Sequence, residues 1–213
     1  MDIRVNEKLI ELLLEAYRPC RNFGVCREAK WDPALGHIPR GFLGATGALE
    51  DVELVMVFSE PGRPHSNERY GPVDDPMRLL ESAVRHTYHS FANGTDRFHR
   101  NVRWFMSRLY PELTFEEQLR HVWLTEGRLC SIDVEIGSTK DRTCAAHYLL
   151  RQVQLLSNAT VVAFGGKAKH YVHGLKGDWL EAYALAPPGA YHKPAVPSWE
   201  RAIAQIKSMR ATT

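Results

Sequence analysis

The chain has 213 residues, of which 44% are hydrophobic and 24% charged, and its formal net charge is +2. These values are typical of a globular chain large enough to bury a core, and no apolar run approaches the ~20 residues of a membrane-spanning helix. They exclude a transmembrane protein, whereas the small net charge neither demands nor excludes a nucleic acid partner.

The organisation of the chain is simple. No linker-like stretch or internal repeat divides it, which predicts a single domain over residues 1–213. Its first residues lack the basic and then apolar pattern of a secretory signal, so we expect a cytoplasmic protein. From Ala163 onward seven basic residues accompany only three acidic ones. Such a basic face suits a phosphate backbone, but a solvated surface explains the pattern equally well.

In the first half of the chain, apolar periodicity predicts three helices and one strand. The first helix begins after Asn6, a favourable N-cap residue. Residues 20–50 are rich in Gly and Pro and predict an irregular segment. The β-branched, mostly apolar run at 52–58 predicts a buried strand. Two further helices are predicted at 76–89 and 97–109.

In the second half, strands and helices alternate. Strands are predicted at residues 122–129, 160–164 and 180–185, and helices at residues 142–156, 167–174 and 198–208. Alternation of this kind implies a parallel sheet covered on both faces. The predicted fold is therefore α/β, a three-layer α/β/α sandwich with a central four-stranded parallel sheet.

The topology itself predicts where a ligand binds. In an open parallel sheet, ligands bind beyond the carboxyl ends of the strands. Those ends carry Glu60, residues 126–130, Gly165 and the loop that holds His192. The candidate site therefore lies among these segments.

The four cysteines form two pairs that are far apart in the sequence, Cys20 with Cys26 and Cys130 with Cys144. In a reducing compartment structural disulfides are not expected. Folding that brings two such pairs together is the usual way to build a four-thiolate metal site, although the spacing is not that of a zinc finger. The residues by themselves leave buried thiols, zinc and an iron–sulfur cluster open.

Five short motifs, in the right order, resemble the uracil-DNA glycosylase superfamily and most closely its iron–sulfur branch, family 4. The first motif, residues 54–62 (LVMVFSEPG), is similar to the first strand and the GEAPG water-activating motif, and the second, residues 130–144, is similar to the second cysteine pair. The third, residues 160–166 (TVVAFGG), is similar to a strand and glycine turn, and the fourth, residues 177–179 (GDW), is similar to a Gly-x-Trp. The fifth, residues 191–195 (YHKPA), is similar to the closing Tyr-His-Pro-Ala motif. The resemblance runs from about Cys20 to Ile206, most of the chain.

The resemblance implies a cofactor. Members of that family bind a structural [4Fe–4S] cluster, which assigns Cys20, Cys26, Cys130 and Cys144 as its ligands. Five residues separate the first pair in this chain, more than is usual in the family. We therefore expect the local geometry of the cluster to differ.

The resemblance also implies two catalytic residues. Glu60 is expected to orient the attacking water and to favour the oxocarbenium-like sugar. His192 is expected to donate a hydrogen bond to the carbonyl oxygen that gains charge as the base departs. Without the resemblance, Glu60 is equally a carboxylate that caps the amides of a turn, and His192 is one of ten histidines.

We expect the base to be bound by Phe58, Ser59, Tyr70 and Glu126. Tyr70 resembles the aromatic residue that stacks on the extruded base, and Phe58 and Ser59 would line the pocket through their backbone. Glu126 stands where the family usually has a uracil-reading Asn. An ionised Glu offers only acceptors and faces uracil O4 unfavourably unless it is protonated. We therefore expect altered or broadened base specificity, unless Glu126 is misaligned by one residue or faces solvent.

DNA contacts are expected from two places. Gly165 and Lys167 lie just beyond the third predicted strand, and Lys193 and Pro194 lie in the closing loop. Lys193 interrupts the family's His-Pro pair and is either a phosphate contact or an exposed residue. The rigid proline loop suits a wedge that replaces a flipped base in the helix.

The predicted function is that of a DNA glycosylase, an enzyme that hydrolyses the N-glycosidic bond of uracil or a related deaminated or damaged base. Its partner is DNA with a damaged base, single strands included, and we expect a monomer without membrane association. Alternatives are a paralogue specific for a base other than uracil, a non-catalytic iron–sulfur DNA-binding protein, and a zinc-binding α/β protein unrelated to repair.

Overall fold

The computed structural model describes residues 3–26, 29–71, 75–131, 141–175 and 177–211. The fold is α/β, as predicted, with one five-stranded and mostly parallel sheet. The strands are β1 (Leu43–Gly44), β2 (Leu54–Phe58), β3 (Val122–Glu126), β4 (Thr160–Phe164) and β5 (Trp179–Ala182). The α-helices are α1 (Glu7–Leu14), α2 (Pro76–Asn93), α3 (Arg97–Leu109), α4 (Phe115–His121), α5 (Leu150–Leu155), α6 (Gly166–Val172) and α7 (Ala195–Ala211). No helix in these ranges is long and apolar enough to cross a membrane.

The strands follow the spatial order β1-β3-β2-β4-β5, with β2 at the centre. β2 pairs in parallel with both β3 and β4, so Val55 lies opposite Trp123 on one side and Val161 on the other. All residues of β2 are buried, which explains its continuous apolar sequence. Because the three strands run in the same direction, their carboxyl ends meet at one edge, where Phe58 lies opposite Glu126.

The sheet has one strand more than the sequence predicted. β1 lies within residues 20–50, where we expected only irregular structure, and it pairs antiparallel with β3. Two residues are too few to show any periodicity, so tertiary contact alone forms this strand. Gly44 is essential to it, because its φ of +112° suits glycine and a Cβ there would lie 1.9 Å from the carbonyl oxygen of Val122.

The helix predictions differ in accuracy for local reasons. α3 has the predicted bounds, whereas α2 continues to Asn93 and ends at Gly94 in the left-handed conformation. α4 was not predicted, although Thr114 and Glu117 form a capping box at its start. The helix expected at 142–156 is one turn of π-helix followed by α5.

A buried polar network holds β3 against the helix that follows the π turn. The indole nitrogen of Trp123 and the hydroxyl of Thr125 both donate to Oε1 of Gln152, at 2.8 and 2.7 Å. All three side chains are fully buried. Because buried polar atoms are costly unless they are paired, these bonds fix the position of β3 relative to α5.

Candidate functional site

An open cleft of about 810 Å³ lies beyond the carboxyl ends of the parallel strands. Its walls are the segments that follow β2 and β4, the start of α3, the end of β3 and the loop after β5. Among the residues predicted for the site, those that line the cleft are Phe58, Ser59, Glu60, Glu126, Gly165 and Lys167. The cleft is therefore where the topology predicted a ligand site.

Glu60 lies just beyond the carboxyl end of β2, and its side chain is only 5% exposed. Its Oε1 forms an ion pair with Nζ of Lys167, and the hydroxyl of Tyr171 lies 3.5 Å from Oε2. Gly165 is the N-cap residue of α6 and has a φ of +93°. The turn at Gly165 places Lys167 beside Glu60. Burial raises the pKa of Tyr171, and the charge of Glu60 raises it further. The hydroxyl of Tyr171 therefore stays neutral and can donate to the carboxylate. Glu60 is thus a fixed anion in the cleft.

Glu126, the last residue of β3, is 4% exposed and lines the same cleft. Its Oε2 is buried without a hydrogen-bond partner among the described residues. Burial raises the pKa of this carboxyl well above its usual range, the charge of Glu60 raises it further, and Arg40 opposes the shift. These surroundings favour the neutral form of Glu126, and a neutral carboxyl carries one donor and one acceptor.

Gly41 makes room for the side chain of Glu126. It has a φ of +87°, and a Cβ at this position would lie 2.7 Å from Cγ of Glu126. Only a residue without a side chain fits there, so the backbone at Gly41 forms one side of the carboxyl's pocket.

Aromatic rings form the apolar part of the cleft. Phe58 and Phe98 meet edge to face with their centroids 4.9 Å apart, and Phe164 lies 5.6 Å from Phe58. Phe98, at the start of α3, is half-buried, while Phe58 is 5% exposed. Phe98 was not predicted from the sequence, although it is the second residue of α3, after the N-cap Asp96 and Arg97.

Tyr70 does not line the cleft. It is 5% exposed, and its hydroxyl donates to Oε1 of Glu68 at 2.5 Å. Glu68 also forms an ion pair with Arg40, whose Nε lies 3.2 Å away, and Arg40 donates to the carbonyl of Gly62. This buried network joins the turn after β2 to the segment before β1. Arg40 and Glu68 both line the cleft and were missed from sequence, because a charged residue in a predicted loop gives no local sign of burial.

Residues 192–194 lie outside the lining of the cleft, although residues 184–189 of the same loop contribute to it. His192 follows the short 3₁₀ turn Gly189–Tyr191, is exposed, and has its ring 6.2 Å from that of Tyr183. Lys193 and Pro194 are exposed as well. The structure therefore brings Glu60, Glu126 and Lys167 together in the cleft and leaves His192 at its periphery.

The four cysteines lie together around one small cavity, away from the cleft lining. All are free, Cys20 is half-buried and the other three are buried. The backbone N–H of Leu129 donates to Sγ of Cys144 at 3.3 Å, and Arg128 donates to Sγ of Cys26 at 3.7 Å. Burial raises the pKa of Cys144 to about 12. No three of the described cysteine sulfurs lie within 4.8 Å of one another. Ligand atoms of His65, Asp96 and His99 do lie that close together.

In comparison with known proteins, no family model matches the chain and no curated protein matches it.

Proposed function

We propose that the protein is a DNA glycosylase that hydrolyses the N-glycosidic bond of uracil or a related deaminated base, on a three-layer fold of the uracil-DNA glycosylase type. The observation that carries this proposal is the buried carboxylate of Glu60, held at the carboxyl edge of a parallel sheet in a cleft of about 810 Å³. A cleft of that size accommodates a base extruded from DNA.

The residues of the cleft fit the steps of such a reaction. Phe58 and Phe98 offer apolar ring surface against which a flipped base can pack. Glu60 can hold the attacking water and stabilise positive charge on the sugar. Lys167, fixed beside it, adds positive charge toward a base that leaves as an anion. His192 acts on the base only if DNA binding draws its loop inward from the periphery.

The neutral form of Glu126 is compatible with an oxo base as substrate. Its carboxyl can donate to a ring carbonyl and accept from the adjacent ring N–H, the two bonds that an Asn side chain also makes. Uracil presents this edge, and so do purine deamination products. Cytosine and adenine present an amine and a bare ring nitrogen, which the neutral carboxyl can also pair with when its proton lies on the other oxygen. Glu126 therefore no longer argues against uracil, as an ionised Glu would.

We also propose that Cys20, Cys26, Cys130 and Cys144 hold a [4Fe–4S] cluster with a structural role. Three observations support this proposal. The four cysteines line one cavity, three of their thiols are buried, and N–H groups donate to the sulfurs of Cys26 and Cys144. Buried thiolates repel one another, and a cationic group bound between them removes that cost. When bound, the cluster ties together two segments that lie far apart in the sequence.

The test is a base-release assay on single- and double-stranded oligonucleotides that carry uracil, hypoxanthine, xanthine or an undamaged base. We expect abasic sites with at least one oxo base, and a loss of about 100-fold or more in Glu60→Gln, the size of a lost acid–base group. Glu200→Gln, an exposed change on α7, serves as the matched control and should keep full activity.

Two outcomes of this assay decide against the proposal. If no lesion yields a product while salt-sensitive DNA binding persists, the protein is a binding module. If Glu60→Gln cleaves as fast as the parent chain, the buried carboxylate is not the catalytic group.

A further inference from the structure

A second set of polar side chains lies in the cleft, on the wall formed by the loop after β2 and the start of α3. It consists of His65, Asp96 and His99, and one ligand atom of each lies within 4.8 Å of those of the other two. His65 and Asp96 are half-buried and His99 is 8% exposed. All three line the cleft.

The surrounding structure holds these side chains in place before any ligand binds. Asp96 is the N-cap of α3: its Oδ1 accepts the backbone N–H of His99 at 3.0 Å and lies 2.9 Å from Nδ1 of the same residue. His65 is tied to a different element, because its backbone N–H donates to Oε2 of the buried Glu68 at 3.1 Å. The His65 and His99 rings have centroids 6.0 Å apart.

Helix capping explains only part of this arrangement. An N-cap aspartate accounts for Asp96 and its contact with His99. It does not account for His65, which comes from the loop after β2 and converges on the same point. A third imidazole, His86, has its ring 5.9 Å from that of His65. Its Nε2 is buried, forms no hydrogen bond within the part of the chain that the structure describes, and lies 3.5 Å from Glu68.

We propose that His65, Asp96 and His99 bind a divalent transition-metal ion such as Zn²⁺, with a coordination position left open to the cleft. Two imidazoles and one carboxylate are a common protein ligand set for this class of ion, and three protein ligands with one open position are typical of sites that also take a solvent or substrate oxygen. Glu68 accepts the backbone N–H of His65, and the His86 ring lies 5.9 Å from the His65 ring, so both residues adjoin the proposed ligands.

This inference goes beyond the glycosylase proposal and does not depend on it. The site uses none of the four cysteines and not Glu60. A metal at this wall would place a positive charge in the cleft, where an anionic or oxygen-bearing occupant supplies the remaining ligand.

The experiment is a titration of the isolated protein, with its cysteine site as purified, with Zn²⁺ by calorimetry and with Co²⁺ by absorption. We expect one ion per chain and cobalt d–d bands without the sulfur-to-cobalt charge-transfer band of cysteine ligation. His65→Ala and Asp96→Asn should each weaken binding about tenfold or more. Asn keeps an oxygen for the helix cap, so the second variant should remain folded.

His173→Ala, an exposed change beyond the end of α6, is the matched control and should bind as the parent chain does. The proposal is overturned if no ion binds, if the cobalt spectrum shows only cysteine ligation, or if His65→Ala and Asp96→Asn leave the affinity unchanged. None of these readouts uses base release, so failure here and failure of the glycosylase proposal are distinguishable.

Discussion

Glu60 lies just beyond β2 and Glu126 ends the neighbouring strand β3, yet the two carboxyl groups have different surroundings. Glu60 faces the ammonium of Lys167 and the hydroxyl of Tyr171. Glu126 faces the backbone of Gly41, and one of its oxygens has no hydrogen-bond partner in the described ranges. An ion pair stabilises an ionised carboxylate, whereas burial favours the neutral acid. The cleft thus combines an ion-paired carboxylate, Glu60, with a buried carboxyl, Glu126, whose pKa is raised.

The raised pKa of Glu126 predicts a pH-dependent effect of Glu126→Gln on stability. Because its pKa is raised in the folded protein, folding takes up a proton above the ordinary carboxyl pKa of about 4.3. The contribution to stability is fully present below that value and is lost as the pH rises through the folded pKa. Gln stays neutral at every pH and removes this loss, so the stability gained by the variant should grow with pH.

Thermal unfolding from about pH 5 to about pH 8 measures this effect. The melting temperature of Glu126→Gln minus that of the parent should increase by about 3 °C or more, the shift that one pKa unit gives in a chain of this size. Glu200→Gln, exposed on α7, is the control and should show a constant difference. An equally constant difference for Glu126→Gln would mean that the carboxyl is ionised in the folded protein.

At the level of elements, the accuracy of the sequence predictions depends on the length and pattern of each segment. β4 and α3 have the predicted bounds, because each has a strong and uninterrupted apolar pattern. The predicted strand at 122–129 ends early, at Glu126, where the chain turns into the cleft wall. β1 is too short for any pattern, and only its pairing with β3 defines it.

The pairing of β1 predicts that Gly44→Ala is strongly destabilising. The alanine Cβ would overlap the backbone carbonyl of Val122 in a conformation that L-residues rarely adopt. We expect a loss of about 2 kcal/mol or more in the free energy of unfolding, measured by urea denaturation. Gly71→Ala is the matched control, since no atom of the residues that the structure describes lies within 4 Å of a Cβ there. Equal stability of the two variants would show that β1 tolerates displacement.

At the level of the whole molecule, the cysteine cavity joins parts of the chain that no single element connects. Cys20 and Cys26 follow α1, whereas Cys130 and Cys144 flank the segment between β3 and the π turn. A group bound by all four therefore cross-links the N-terminal segment to the sheet, as a long-range disulfide does.

This cross-link predicts the effect of Cys144→Ser. We expect the protein as purified to be brown, with absorption near ~400 nm, and the variant to be colourless with a melting temperature lower by about 5 °C or more. Removing the iron from the parent chain with a chelator should lower its melting temperature by a similar amount. A colourless parent chain with stoichiometric zinc would instead identify the cysteine site as a zinc site.

The sequence by itself determined the class of fold and the strands whose carboxyl ends form the site. It placed Glu60, Gly165 and Glu126 at those ends, because strands and their ends are encoded in local apolar patterns. It did not determine which side chains meet beyond them. Lys167 pairs with Glu60 across 107 positions of the chain, and no local pattern reports such a pair.

Only the tertiary structure decided the burial of Glu126, the turning of Tyr70 toward Glu68 and the convergence of His65 with α3. Each depends on the strand order β1-β3-β2-β4-β5 and on how the loops return over the sheet edge. These are long-range arrangements, selected by packing of the whole core rather than by the propensity of any segment. The charge state of Glu126 follows from them, since it is set by burial and by neighbours that the sequence keeps far apart.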